Sequence, residues 1–220
     1  MCFSAVSSIS AGVVLSGAGV LTLKKAGTTN QVVFASIPLL FAIQQFTEGV
    51  LWIALQDPAY QHLQGVATYN FLFFAQIIWP IWVPLGVFIM EISENRSAAL
   101  KILVTIGALV SSYLGYCLLN FPVKAVAEAG HIAYEQQYPA ALGKSVGYLY
   151  FLATVVPLFV SRITWMWTMG LAVAVSLLIT ALLYTDYIIS VWCFFSAIIS
   201  IIVLLIIVRY NETTRHSMAQ

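Results

Sequence analysis

Charge is what this sequence has least of. Of its 220 residues nine are Lys or Arg and eight are Asp or Glu, 8% in all, where a soluble domain carries roughly 25%. A water-facing surface cannot be assembled from so few charges, so most of the surface must face lipid. The near-even balance, a formal +1, leaves no basic patch and no acidic tail, which excludes nucleic acid as a partner class. Cysteine is scarce as well. Cys2, Cys117 and Cys193 have no paired spacing, and neither a zinc motif nor a thioredoxin-like motif can be drawn from them. No histidine lies inside a long apolar run, which disfavours bis-histidine haem. No lysine lies inside one either, so a retinal Schiff base has no amine. Glycine-rich phosphate loops are absent. The opening MCFSAVSSISAGVVLSGAGVLTL has no basic residues ahead of its apolar run; Lys24 and Lys25 follow it. It therefore does not read as a signal peptide, and Cys2 precedes the run, which excludes a lipobox.

What is abundant is apolar sequence, 61% of the chain. Runs of the roughly 20 residues needed to cross about 30 Å of hydrocarbon fall near Phe3–Leu23, Val32–Leu55, Val66–Met90, Leu100–Leu119, Ser145–Ser161, Ile163–Tyr184 and Tyr187–Val208. The expected fold class is an all-α membrane protein with seven transmembrane helices. Lys24, Lys25, Arg96, Lys101, Arg162, Arg209 and Arg215 would then share one side, against Lys124 and Lys144 on the other. The richer side should be cytoplasmic, which sets the N-terminus outside and the C-terminus inside. Residues 1–210 form a single domain on this reading, with 211–220 as a cytoplasmic tail. The 120–145 loop lies outside, and the alanines of VKAVAEAGHIAY suggest a helix lying at the interface. Ser8, Gly12 and Ser16 recur every four residues in the first run, a packing stripe for close helix approach.

The second run holds FAIQQFTEGVLW, Phe41 to Trp52. Gln44 and Gln45 precede Glu48 by four and three residues, so both share nearly one helical face with Glu48 and Trp52. A carboxylate in lipid costs several kcal/mol unless it is paired or protonated, and such residues usually face the bundle interior. With the N-terminus outside, Glu48 lies about two turns from the outer end. Asn70 and Gln76 in the third run and Tyr113 and Tyr116 at the end of the fourth lie at similar depth, as do Tyr148 and Tyr150. Asp186, Tyr187, Trp192 and Cys193 in the last run do too. The expectation is a polar cavity open to the outside and closed toward the cytoplasm, its ligand-binding residues Glu48, Gln44, Gln45, Trp52, Asn70, Tyr113 and Tyr116. Prolines 80 and 84 would kink the third helix below it. Cys2, Glu48 and His131 form a second candidate set, with His62 or Asp57 as alternates: thiolate, carboxylate and imidazole together suit zinc or copper. The function expected is binding of a small ligand or metal ion at this pocket. A membrane-embedded hydrolase or metalloenzyme acting at the outer leaflet is one alternative, and a non-catalytic accessory subunit of a membrane complex is another. The lipid bilayer is the partner the composition implies; oligomeric state is not legible.

MCFSAVSSISAG and IPLLFAIQQFTEGVLW resemble an uncharacterised group of bacterial multi-pass membrane proteins. Those chains begin Met-Cys-Phe-Ser-Ala and carry a Gln-Gln-x-x-Glu-Gly-x-x-Trp stretch in their second helix. HIAY, His131 to Tyr134, is similar to a short outer-loop motif of the group. The resemblance implies a bacterial inner membrane and marks Cys2, Gln44, Gln45, Glu48, Trp52 and His131, without supplying an activity.

Overall fold

The computed structural model describes residues 4–91, 94–128, 130–183 and 195–218. The chain is mostly helical. Helix α1 (Ala5–Lys25) opens on Ser4, whose hydroxyl accepts the Ser7 N–H at 3.2 Å, an N-cap of ordinary type. A short α2 (Thr29–Ala35) breaks at Ser36 into α3 (Ile37–Gln56). A 3-10 turn (Pro58–Leu63) leads to α4 (Gln64–Leu72), which runs through a π-helical stretch (Phe73–Ile78) into α5 (Trp79–Met90). Helix α6 (Glu94–Asn120) precedes two strands, β1 (Val123–Glu128) and β2 (His131–Gln136). Helices α7 (Ala140–Val160), α8 (Met166–Leu183) and α9 (Ser196–Met218) follow.

Five helical stretches among the described residues are long and apolar enough to cross a membrane: Ala5–Lys25, Thr29–Gln56, Pro58–Met90, Ala98–Asn120 and Ser196–Thr213. Two further apolar stretches, Ser145–Val160 and Met166–Thr180, are shorter. Large apolar side chains point outward along them, Val6, Val14, Leu109, Leu119 and Leu182 among the most exposed. In water such a surface would aggregate; in lipid it is the solvated face. Helix α9 continues without a break through 211–218, most of the residues expected as the tail.

The 120–145 segment is also not the interfacial helix that its alanines suggested, and the fold is not purely α. It folds as an antiparallel β-hairpin, with Val123 opposite Gln136, Ala125 opposite Tyr134 and Glu128 opposite His131. Gly130 takes φ +79° in the two-residue turn. Such tight hairpin turns need positive φ, which glycine adopts without steric cost, and this local demand outweighs the helix preference of the alanines.

α1 and α3 lie side by side at very close range. A Cβ on Gly49 would meet Cγ1 of Ile9 at 2.6 Å, so the missing side chain lets α1 press against α3 beside Glu48. In the third span the Trp79 N–H reaches back five residues to the Phe74 carbonyl, and Pro80 has no N–H to give. The carbonyls of Ala75 and Ile77 accept side-chain donors instead, from the Tyr150 hydroxyl at 2.7 Å and the Ser111 hydroxyl at 2.8 Å. Pro84 likewise cannot donate to the Pro80 carbonyl. Gly107 of α6 sits directly against that oxygen, where any Cβ would collide with it.

At the end of the bundle away from the hairpin, Gln31 is fully buried. Its Oε1 accepts the Gly27 N–H, and its Nε2 donates to Oδ1 of Asn211. The Asn211 amide donates in turn to the Lys25 carbonyl, each bond being 2.7 Å. Loop α1–α2 is thereby clasped to the last helix.

Candidate functional site

Helix α3 supplies the site. Over 3.6 residues per turn, Gln44, Gln45, Glu48 and Trp52 fall within a sector of about 100°, and all four are buried, Glu48 completely. The Ser8 hydroxyl of α1 donates to Oε2 of Glu48 at 3.4 Å, a long bond. Glu48 and Gln45 have further partners. Oε1 of Gln44 accepts the indole N–H of Trp79 at 2.8 Å, and the Trp79 ring lies 4.2 Å from that of Phe41. Gln44 therefore serves to tie α3 to α5. Beneath it a cavity of about 20 Å³ is lined by Phe41, Trp79, Val83, Met169 and Val173. That is room for about one water, but so apolar a cavity stays dry.

The hairpin side of the site is covered. Leu51 and Trp52, one turn beyond Glu48, pack with Ala67 of α4 and with Ala125 and Ile132 of the hairpin. Tyr134 stacks on Phe71 at 5.1 Å with ring planes 4° apart. Gln64 donates to the Ala125 carbonyl at 3.1 Å. The expected open-mouthed cavity is thus roofed by the β-hairpin, because one face of the ribbon is apolar and has the ends of α3 and α4 to bury it. Trp52 is 3% exposed, and its indole N–H has no hydrogen-bond partner among the described residues. Gln136 at the end of β2 has its side-chain N–H group buried in the same condition. His131 opens β2 and is also buried. Burial holds its pKa below the usual histidine value, so the ring is neutral at pH 7.

The remaining expected residues divide. Gln76, on the π-helical stretch, is buried and accepts the Tyr138 hydroxyl at 3.0 Å. Tyr138, held in this partly buried position, has its pKa pushed up to about 12, chiefly by desolvation. Asn70 faces outward, and Tyr116 is 59% exposed on the far side of α6; neither joins the site. Tyr113 is half-buried on α6, one turn before the buried Cys117. Tyr148 is exposed, while Tyr150 turns inward to the Ala75 carbonyl. Asp57 caps the 3-10 turn, its Oδ1 accepting the Ala59 N–H at 2.9 Å, and His62 is exposed there. Among the described residues no three His, Cys, Asp or Glu side chains gather as a metal site would require. Cys2 lies outside those residues, as do Asp186, Tyr187, Trp192 and Cys193.

Sequence reasoning missed Trp79 as the partner of Gln44 and Tyr138 as the partner of Gln76. It placed Ser8 only in a packing stripe. The signal for Ser8 was present: a hydroxyl at a small-residue position on a helix that must pack against the one glutamate of the second run.

A family model described as a family of unknown function (DUF6629) matches residues 1–219. No curated protein and no solved structure matches the chain.

Proposed function

Since the chain belongs to that family of unknown function, we propose that it is a ligand-binding protein of the bacterial cytoplasmic membrane. It spans that membrane seven times, with its N-terminus outside and its C-terminus in the cytoplasm, and binds a small polar ligand around Glu48 beneath the hairpin. Five long apolar helices and two shorter ones support the span count, and the Lys and Arg distribution supports the orientation. The observation that carries the site is the Trp52 indole N–H. It is buried one turn from a fully buried carboxylate and has no acceptor among the described residues. Buried indole donors normally find a partner. A ligand with an acceptor for the Trp52 N–H satisfies that donor beside Glu48, and the hairpin roof excludes competing water.

Glu48→Gln and Trp52→Phe test this in purified full-length protein. Thermal-shift screening against small amines, amides and amino acids should find stabilising compounds for the wild type, and both variants should lose the shift while keeping near-normal folded yield. Equal loss of yield and of shift would make Glu48 a structural tie only. Elemental analysis run in parallel identifies a metal ion as the ligand if stoichiometric zinc or copper is present and disappears with Glu48→Gln.

A further inference from the structure

In the turn between α7 and α8, Trp165 takes φ +72°, and among the described residues it alone, glycine aside, has a positive φ. The Met166 N–H closes this turn on the Ile163 carbonyl at 3.1 Å, which makes Trp165 its third residue. A positive φ at that position favours glycine, and for a bulky side chain it is a costly backbone. The bonds that hold Trp165 in the turn use its main chain: its carbonyl accepts the N–H and the hydroxyl of Thr168, at 3.0 and 2.6 Å. Glycine would offer the same carbonyl without strain. The indole is 47% exposed and so does little for the fold itself.

Ile163 and Met166 turn into the core, while Arg162, Trp165 and Trp167 stay outside, Trp167 being 57% exposed. Neither indole N–H nor the Arg162 guanidinium has a hydrogen-bond or ion-pair partner among the described residues. A neighbouring helix fixes their depth. Glu91 directly follows the lipid-crossing stretch Pro58–Met90, and its Oε2 accepts the Ser161 hydroxyl and the Arg162 backbone N–H, each at 2.8 Å. The turn therefore sits where that stretch ends, the depth of the headgroups, at which tryptophan and arginine are favoured.

We propose that this turn is an anchor on the phospholipid headgroups of the adjoining leaflet. Arg162 pairs with lipid phosphate, and the two indole N–H groups donate to phosphate and ester oxygens. A guanidinium fork matches phosphate bidentately, and an indole suits a boundary that is wet on one side and apolar on the other. Headgroup contact offsets the left-handed backbone of Trp165, so the bilayer stabilises the turn at the residue that is strained without it.

The test compares thermal midpoints of the full chain in maltoside micelles, which carry no phosphate, and in nanodiscs of phosphatidylethanolamine and phosphatidylglycerol. Trp165→Gly should raise the midpoint by about 2–4 °C in maltoside, where the strain is simply relieved, and should lower it in nanodiscs. Arg162→Gln keeps the backbone N–H for Glu91; it should lower the nanodisc midpoint and leave the maltoside midpoint unchanged. Nitroxide quenching reads the depth separately. The emission lost in the Trp165→Phe, Trp167→Phe double variant should be quenched about twofold more by headgroup-labelled lipid than by lipid labelled at mid-chain. Equal shifts in micelles and nanodiscs for either variant, or quenching strongest from the mid-chain label, overturn the proposal.

Discussion

Trp79 donates its indole N–H to Oε1 of Gln44 at 2.8 Å, both side chains buried between α3 and α5. Of the two glutamines that precede Glu48, this one is committed to holding helices together. Removing either partner strands the other in an apolar setting, which costs about 1–3 kcal/mol. Gln44→Leu and Trp79→Phe should each lower the thermal midpoint in detergent. The double variant should be less destabilised than the sum, by about 1 kcal/mol of coupling; strict additivity would show that the bond contributes nothing.

The Ser8–Glu48 bond is long at 3.4 Å, so it is the weaker tie. Ser8→Ala should cost no more than about 1 kcal/mol. Glu48→Ala empties a fully buried position and should cost about 2–4 kcal/mol. A denaturation series in one detergent ranks the two, and a larger loss for Ser8→Ala would mean that helix packing at this point outweighs the polar contact.

Gly107 and Gly147 give opposite expectations from the same substitution. Alanine at 107 collides with the Pro80 carbonyl, forcing α5 and α6 apart at a cost of about 1–3 kcal/mol. Alanine at 147 meets nothing within 4 Å in α7 and should be neutral or stabilising by up to about 1 kcal/mol. Folded yield by size-exclusion chromatography separates them.

His131 makes the docking of the hairpin depend on pH. Its folded pKa is depressed by burial below about 6.5, so the unfolded form takes up a proton more readily than the folded one. Stability is complete above pH 6.5 and falls as the pH drops from there through the lower folded value. Amide protection factors in 123–136, taken relative to the intrinsic exchange rate at each pH, should fall between pH 7 and 5, and His131→Phe should flatten the profile. A wild-type profile already flat over that range would put the ring in solvent.

The lipid-crossing architecture was legible because bilayer thickness imposes a length on every span, and the buried Glu48 was legible because a charge in such a span must be turned inward. Direction around a helix was less so. Depth alone grouped Asn70 and Tyr116 with Glu48, yet both look outward, since residues at one depth can still point to opposite sides. The π-helical stretch from Phe73 to Ile78 adds an offset that a regular period does not anticipate. In the 120–145 segment, alanine content pointed to a helix, whereas Gly130 at a two-residue turn was the better signal. The partners of Gln44 and Gln76 lie 35 and 62 residues away, and no local pattern names them.

The amide clasp at Gln31 sets an order in time. Gln31 emerges from the ribosome early, but Asn211 lies 180 residues later, so the loop after the first helix stays unsecured through almost all of synthesis. The early helices must wait in the membrane, held by their mutual packing, until the final helix arrives. Closing of the first loop waits for Asn211, and a product truncated ahead of it leaves the Gln31 amide and the Lys25 carbonyl without the Asn211 side chain that joins them.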